Sequence, residues 1–441
     1  MQWKLSRRQF LIQTGVATVT GATIACDSGL VRVTPASSTM VATNTPTSTP
    51  TPVGVKVATG GAIPQLEMVA MISRTEAREQ MLLDSPVIQE LLSGIEVRIQ
   101  PVDGEDYTTK MFTLAAAGTA PDIFEMTSQE SIQWIQRGIP AELDDLLRNS
   151  DSFSLDGFVD SAVDAFRFEG PTYGIPREVN ALVLDYNQEL FEEKGIEYPT
   201  DDWTWTNLEE AGRVIQNGST NEIYGFSTPP TSTRFAPFVY QNDGRIISED
   251  FREVLIGSAP TIEAGVFYTN AHNEGWATAN TIVSAEELFV NGRLAMIMRG
   301  FRPIAEEAFT MGTTSLPAGP KEKEGNLLFT VAYAIWTQSQ QQSIAAEVVQ
   351  VLTSTEAQNI RLQEQQILPS RTLLLNQVEH PAVRAIIDGV ARPYQWGPAH
   401  REIDDVINQA LSNIFAGVDS VEAIFNSADE EIQAILEGAS I

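Results

Sequence analysis

The chain is predicted to be an α/β protein with a mixed, mainly parallel sheet flanked by helices. Three observations lead there. Beyond residue 62, short apolar runs alternate with helix signals in β-α-β-α-β order, the pattern of parallel strands joined by helical crossovers. The run at 181–187, ALVLDYN, is apolar on both faces, as in a strand covered on both sides. The part expected to fold is about 380 residues long, more than one ordinary core holds, so two domains are expected.

The elements follow in order. Residues 66–72, LEMVAMI, read as a buried strand. Ser73 and Glu76 have capping-box spacing and open a helix through Leu82 or Leu83. Residues 95–102 alternate and read as a second strand, and 107–117 as a helix. Residues 121–126, PDIFEM, form a third strand. A second capping box follows, Thr127 with Glu130, ahead of Trp134 and Ile135 on the next helix. In open α/β sheets ligands sit beyond the carboxyl ends of the strands, where helix N-termini offer free N–H donors. The loops at Ser73-Arg74 and Thr127-Ser128-Gln129 are therefore the first candidates for contact. Further strands are expected at 181–187, 294–298 and 329–336. Helices are expected at 188–194 (closed by Gly195), 207–216, 285–291, 343–352, 355–363, 403–415 and 421–436.

The N-terminus reads as an export segment. Lys4, Arg7 and Arg8 precede a weakly apolar stretch from Phe10 to Ile24. At about 15 residues it is shorter than the roughly 20 a spanning helix needs, so it reads as a signal peptide. Ser6-Arg7-Arg8-Gln9-Phe10-Leu11 resembles a twin-arginine signal. Thr23-Ile24-Ala25-Cys26 resembles a bacterial lipobox, with Thr23 where leucine is usual. Cys26 is the single cysteine of the chain, so it has no internal disulfide partner and is expected to carry a lipid. From Thr34 to Pro52, 14 of 19 residues are Ser, Thr or Pro, a tract that cannot bury enough apolar surface to fold. The expected order is thus signal peptide 1–25, spacer 26–62, then the folded part, exported and lipid-anchored to the cell membrane.

Composition removes several classes. With 28 Lys+Arg against 58 Asp+Glu and a formal net charge of −30, a basic face for nucleic acid is ruled against, as is docking on anionic lipid. His272, His380 and His400 stand at no ligand spacing and there is no thiol pair, which gives metal chemistry no support. No phosphate loop, dinucleotide fingerprint or nucleophile elbow is present. No cofactor is expected.

A series of segments carries a family resemblance across roughly 64–436. They are Ala116-Ala117-Gly118-Thr119-Ala120-Pro121-Asp122-Ile123-Phe124, Tyr173-Gly174-Ile175-Pro176, Tyr186-Asn187 with Leu190-Phe191, and Trp205-Thr206-Asn207-Leu208. Then come Phe289-Val290-Asn291-Gly292-Arg293-Leu294-Ala295-Met296, Leu316-Pro317-Ala318-Gly319-Pro320 and Leu352-Thr353-Ser354-Thr355-Glu356-Ala357-Gln358. In this order and spacing the chain resembles the extracellular solute-binding proteins of ABC importers, in the carbohydrate-binding family that includes maltose-binding protein. The resemblance implies the two-lobed type II periplasmic-binding-protein fold with a hinge. Lobe 1 would be 64–178 with 331–367, and lobe 2 would be 179–330 with 368–441. It implies a monomer that takes a sugar or oligosaccharide between the lobes and hands it to permease subunits, without catalysis.

The resemblance also points to contacts. Ser73, Arg74, Thr127, Ser128 and Gln129 would serve from lobe 1. Arg177, Glu178 and Asn180 lie at the first crossover, and Gln241-Asn242 at a Gly-rich turn. Phe301 or Arg302 stands where the family often has a stacking tryptophan, and Tyr333 where it often has an aromatic. Trp396 and His400 lie near another frequent contact. Aromatic faces suit the C–H surfaces of a pyranose, and amides, carboxylates and guanidiniums suit its hydroxyls. Trp205 is assigned to packing. Arg74, Arg177, Arg299 and Arg302 near the loops leave an anionic ligand open, such as a sugar phosphate, a uronate or a glycerophosphodiester. A chemoreceptor or sensor partner in place of a permease also stays open. A secreted glycosidase, with a carboxylate pair drawn from Glu178, Asp185, Asp201 or Asp202, is the remote alternative.

Overall fold

Two long strands organise the computed structural model. β4 (Ile175–Asn187) and β9 (Asn326–Ile335) run antiparallel through the middle of one sheet. The structure describes residues 64–72, 76–103, 107–148, 153–216, 223–279, 283–302, 309–321, 323–365 and 367–439. The export segment with Cys26, the spacer, Ser73 and Arg74 lie outside them.

On one side of the crossing pair lie β1 (Gln65–Ile72), β2 (Glu96–Asp103) and β3 (Ile123–Thr127). β1 pairs in parallel with both β2 and β3, and β3 then pairs antiparallel with the C-terminal half of β9. A small separate pair joins β5 (Phe226–Ser227) and β6 (Ala277–Thr278). On the other side β7 (Met296–Gly300) and β8 (Met311–Thr314) pair antiparallel with the far end of β4. β10 (Ala391–Pro393) runs parallel beside the start of β9. The sheet order is β2-β1-β3-β9-β4-β7. It is mixed, because the chain leaves by β4 and returns by β9 in opposite directions, while parallel pairing marks the β-α-β runs.

The local grammar is visible at the helix Gln188–Lys194. Asn187 caps it, its Oδ1 accepting the N–H groups of Glu189 and Leu190 at 3.0 and 3.4 Å. Gly195 ends it in the left-handed region at φ 65°, where a Cβ is costly. The second capping box did not form. Thr127 stays in β3, paired with Val331, and Glu130 sits at the N-cap of the helix Ser131–Gln136 without a side-chain cap bond. Its carboxylate is taken by the Thr108 hydroxyl instead. The helix Pro86–Leu92, opened by Pro86 at its first turn, was not foreseen.

Apolar side chains gather in separate clusters. One core draws on Leu66, Ile123, Ile175, Tyr333, Ile335 and Leu352. Another draws on Leu184, Phe191, Trp205, Phe235, Tyr268, Trp396, Ile407 and Phe425. A smaller cluster around Val179, Ala181, Leu328 and Leu368 lies along the crossing strands. Trp205 belongs to the packing, as expected. It lies nearly parallel to Phe267 at 4.4 Å, and its Nε1 donates to Gln241 Oε1 at 2.7 Å.

Candidate functional site

The helix Tyr107–Ala116 and the turn after β3 face the segment after β10 and the first turns of the helix His400–Phe415. Between them is a cleft of ≈ 470 Å³. One wall is Tyr107, Thr108, Thr109, Phe112, Thr127, Gln129, Glu130, Gln133 and Arg137. The other is Tyr394, His400, Arg401, Glu402 and Asp404.

The first wall is braced by Trp134, which is fully buried. Its ring packs against Tyr107, Phe112 and Phe124 at 5.5–6.0 Å between centroids. Tyr107 donates its hydroxyl to the Glu125 carbonyl at 2.6 Å. The Arg137 guanidinium lies 4.2 Å over Phe112, a cation–π contact that leaves the charge at the cleft edge.

The second wall is aromatic and is organised by one helix face. His400, Asp404 and Asn408 are spaced four apart and so lie one above another. Tyr394 is perpendicular to Trp396 at 5.5 Å and to His400 at 4.9 Å. The backbone N–H of Trp396 donates to His400 Nδ1 at 3.0 Å, which requires an unprotonated Nδ1. Burial pushes the His400 imidazole down to about 4; the Asp404 carboxylate opposes this and the Arg401 cation adds to it. Burial, with the Asp404 carboxylate close by, raises the Tyr394 phenol above its usual range.

Two contacts cross the cleft. Ser128 Oγ donates to the Tyr394 carbonyl at 3.3 Å, and Arg401 Nη2 lies 3.4 Å from Glu130 Oε1. Burial raises the Glu130 carboxyl above the usual carboxylate range, against the opposing pull of Thr108 and Arg401.

Of the residues singled out in the sequence, Thr127, Gln129 and His400 line this cleft. Ser128 is buried beside it and Trp396 is buried behind His400. The others lie elsewhere. Asn180 clamps the Phe301 backbone, accepting its N–H at 2.8 Å and donating to its carbonyl at 2.9 Å. Phe301 sits edge-on to His380 at 4.8 Å. Arg302 and Arg299 both pair with Glu286, and Arg299 also pairs with Asp185. Gln241 bridges Trp205 to the Gly325 carbonyl, and Asn242 donates to the Pro260 carbonyl and to Glu263.

Arg177 and Tyr333 join a buried ion cluster. The β4–β9 register breaks between Pro176 and Glu178, and Arg177 projects from that bulge. It pairs with Glu79, with Glu125 at 2.9 Å and with Glu178 at 3.5 Å. Arg361 grips Glu79 through both oxygens at 2.8 and 3.0 Å and also reaches the Tyr333 hydroxyl. Tyr333 in turn donates to Glu79. Burial alone would raise the Glu79 carboxyl, but Arg361 and Arg177 hold it at about 2. The cluster pins the bulge of β4 to the helices Glu76–Leu83 and Thr355–Gln365.

Sequence reasoning missed Tyr107, Phe112, Glu130, Tyr394 and Asp404. The His400, Asp404, Asn408 ladder on one helix face was the signal that could have revealed Asp404.

The class these features define is a binding protein with a cleft between separately packed faces. The family of bacterial extracellular solute-binding proteins matches residues 89–383, more than half of the chain, and the chain belongs to that family. It is thus a solute-binding protein of extracytoplasmic type, not an enzyme. A binding protein of Brucella abortus is 25% identical over 364 residues, covering 78% of this chain and 86% of its own. The galactooligosaccharide-binding protein of Bacillus subtilis is 23% identical over 337 residues, 71% of this chain and 76% of its own. Among solved structures, an ABC substrate-binding protein of Listeria monocytogenes in complex with cycloalternan superposes with a TM-score of 0.74 at 23% identity. That match covers 85% of this chain and 100% of the other.

Proposed function

We propose that the chain captures a neutral carbohydrate, a sugar or short oligosaccharide, in the cleft between the 107–137 face and the 394–404 face. It then delivers this ligand to an ABC permease. The carrying observation is the wall chemistry. Aromatic side chains at Phe112, Tyr394 and His400 line the cleft among amide, carboxylate and guanidinium groups at Gln129, Gln133, Glu130, Arg137 and Arg401. That is the combination a pyranose needs, apolar faces for C–H and polar edges for hydroxyls. A relative named as a galactooligosaccharide-binding protein, and a fold neighbour solved in complex with cycloalternan, support the same class. The anionic alternative rested on arginines, and the described ones among them are engaged: Arg177 with Glu79 and Glu125, Arg299 with Asp185, Arg302 with Glu286.

We assign the lobes to 64–178 with 331–367 and to 179–330 with 368–441, hinged where β4 and β9 cross. The separate cores and the bulge at Arg177 support this. A ligand shifts the balance toward a closed form only by touching both faces.

The test is a thermal-shift panel of neutral oligosaccharides against sugar phosphates and uronates. A neutral sugar at a hundredfold its Kd is expected to stabilise the protein by about 2.7 kcal/mol. A panel in which only the anionic compounds shift the melting temperature would sink the neutral reading.

The tether is proposed on sequence grounds: a lipid on Cys26 would keep the receptor near its permease and raise its effective concentration there. Cys26→Ser is expected to move the protein from the membrane fraction to the soluble one. Retention of the variant on membranes would disprove the anchor.

A further inference from the structure

The second wall of the cleft traces back to one carboxylate. Asp404 Oδ1 accepts the Tyr394 hydroxyl at 2.6 Å, Trp396 Nε1 at 3.0 Å and the Ser232 hydroxyl. Asp404 Oδ2 accepts Asn408 Nδ2 at 2.9 Å. The Asn408 amide is itself fixed, because its Oδ1 accepts the backbone N–H of Ser232 at 2.7 Å. That N–H opens the helix Ser232–Gln241 and has no partner within its own helix. The N–H donors of Trp396 and Asn408 therefore point at Asp404 from either side, and only a group that accepts on both oxygens satisfies them, while the Ser232 and Tyr394 hydroxyls, 2.9 Å apart, complete the cluster.

We infer that Asp404 is a positioning residue that sets the sugar selectivity of the cleft by fixing the Tyr394 and Trp396 rings as a perpendicular pair. The inference rests on the carbohydrate reading above. Asp404 takes the polar edges of both rings, which leaves ring faces for packing. Its reach extends to His400, because the backbone N–H of Trp396 holds His400 Nδ1. Tyr394 and His400 are cleft-lining aromatics of this wall, so three rings inherit their orientation from one side chain.

An asparagine at 404 has nearly the same volume but puts an NH₂ on one side. If that group faces Asn408, two donors oppose each other. Turning the Asn408 amide to relieve this would strand the Ser232 N–H. If the NH₂ instead faces Tyr394, Trp396 and Ser232, it opposes the Trp396 N–H, an obligate donor, and forces the Tyr394 and Ser232 hydroxyls to turn and accept. Either way the ring pair loses its fixed angle while the core stays filled.

The experiment compares wild type, Asp404→Asn, Tyr394→Phe and the double variant by calorimetry with maltotriose and cellotriose. Near-ultraviolet circular dichroism is recorded on each without ligand. Asp404→Asn is expected to weaken the preferred probe at least tenfold and to narrow the ratio between the two probes. It is expected to change the aromatic dichroism and to add less than threefold in the Tyr394→Phe background, since coupled residues are non-additive. A variant that melts earlier yet binds both probes as wild type does would overturn the inference, because Asp404 would then be structural only. If neither probe binds the wild type, the dichroism decides. A change on Asp404→Asn that disappears in a Trp396→Phe background upholds the positioning role, and the carbohydrate reading is then left to the thermal-shift panel. No change overturns the positioning role.

Discussion

Arg361→Leu is expected to lower the unfolding free energy by roughly 3–5 kcal/mol, the usual cost of breaking a buried ion pair from one side. Glu79 is fully buried, and Arg361 and Arg177 are almost so. Their cluster also holds Glu125 and the quarter-exposed Glu178. Taking Arg361 away leaves the Glu79 carboxylate with Arg177 as the remaining one of its two guanidinium partners, in a site that water does not reach. The Tyr333 hydroxyl loses a donor as well. The reciprocal experiment is Glu79→Leu with Arg361→Leu. Removing the pair together replaces charge with apolar volume, which is often close to neutral, and Arg177 keeps Glu125 and Glu178. The double variant is therefore expected to be more stable than Arg361→Leu alone. Urea midpoints at neutral pH check both statements. A loss below about 1 kcal/mol, the range of an exposed pair, would show that this cluster is solvated.

That cluster also shows where the sequence could be read and where it could not. The strands β1, β2 and β3 announce themselves as short apolar or alternating runs, and the helix Gln188–Lys194 carries both its cap and its stop. Such signals are local, so one sequence suffices. The start of β4 has no such signal. Ile175-Pro176-Arg177-Glu178 looks like a loop, with a proline and two charges, and becomes a strand because Glu79, 98 residues earlier, neutralises Arg177. Arg177 and Tyr333 were read as cleft residues for the same reason. A polar or aromatic group at a crossover suggests a ligand when its buried partners cannot be seen. Glu79 and Arg361 themselves read as ordinary polar positions on helices. The cleft was partly legible. Thr127, Gln129 and His400 line it, reached from strand ends and from the family resemblance. Asp404 was hidden, because a carboxylate in Glu402-Ile403-Asp404-Asp405 looks like one more solvated acid in a chain with 58 of them. What distinguishes it is the set of donors that converges on it from Ser232, Tyr394 and Trp396, all brought from other elements.

Acidification is expected to weaken the protein in two separate steps. His400 is neutral in the fold, with its imidazole held down to about 4 by burial, while an unfolded histidine titrates near 6.5. Between these values the unfolded chain binds the extra proton. The stability from His400 is thus complete above about pH 6.5 and is lost as pH falls toward 4. At about 1.4 kcal/mol per pH unit the full loss is roughly 3 kcal/mol. Glu79 acts lower. Its carboxyl is held at about 2 against a usual 4.5, so its contribution is present above 4.5 and fades as pH falls toward 2. The upper step has a structural reading at the cleft. A proton on His400 Nδ1 turns the acceptor of the Trp396 N–H into a donor, and the aromatic wall must yield. Sugar affinity of the folded protein is therefore expected to hold through most of that window and to fall only as pH approaches the folded value of about 4. His400→Asn keeps an acceptor near the Nδ1 position and removes the titration. Its urea midpoint is expected to decline less than the wild type's from pH 7 to pH 5, the remaining slope coming from His380, whose imidazole burial also holds down. A wild-type profile that is flat over that range, or a decline that persists unchanged in His400→Asn, would place the proton elsewhere.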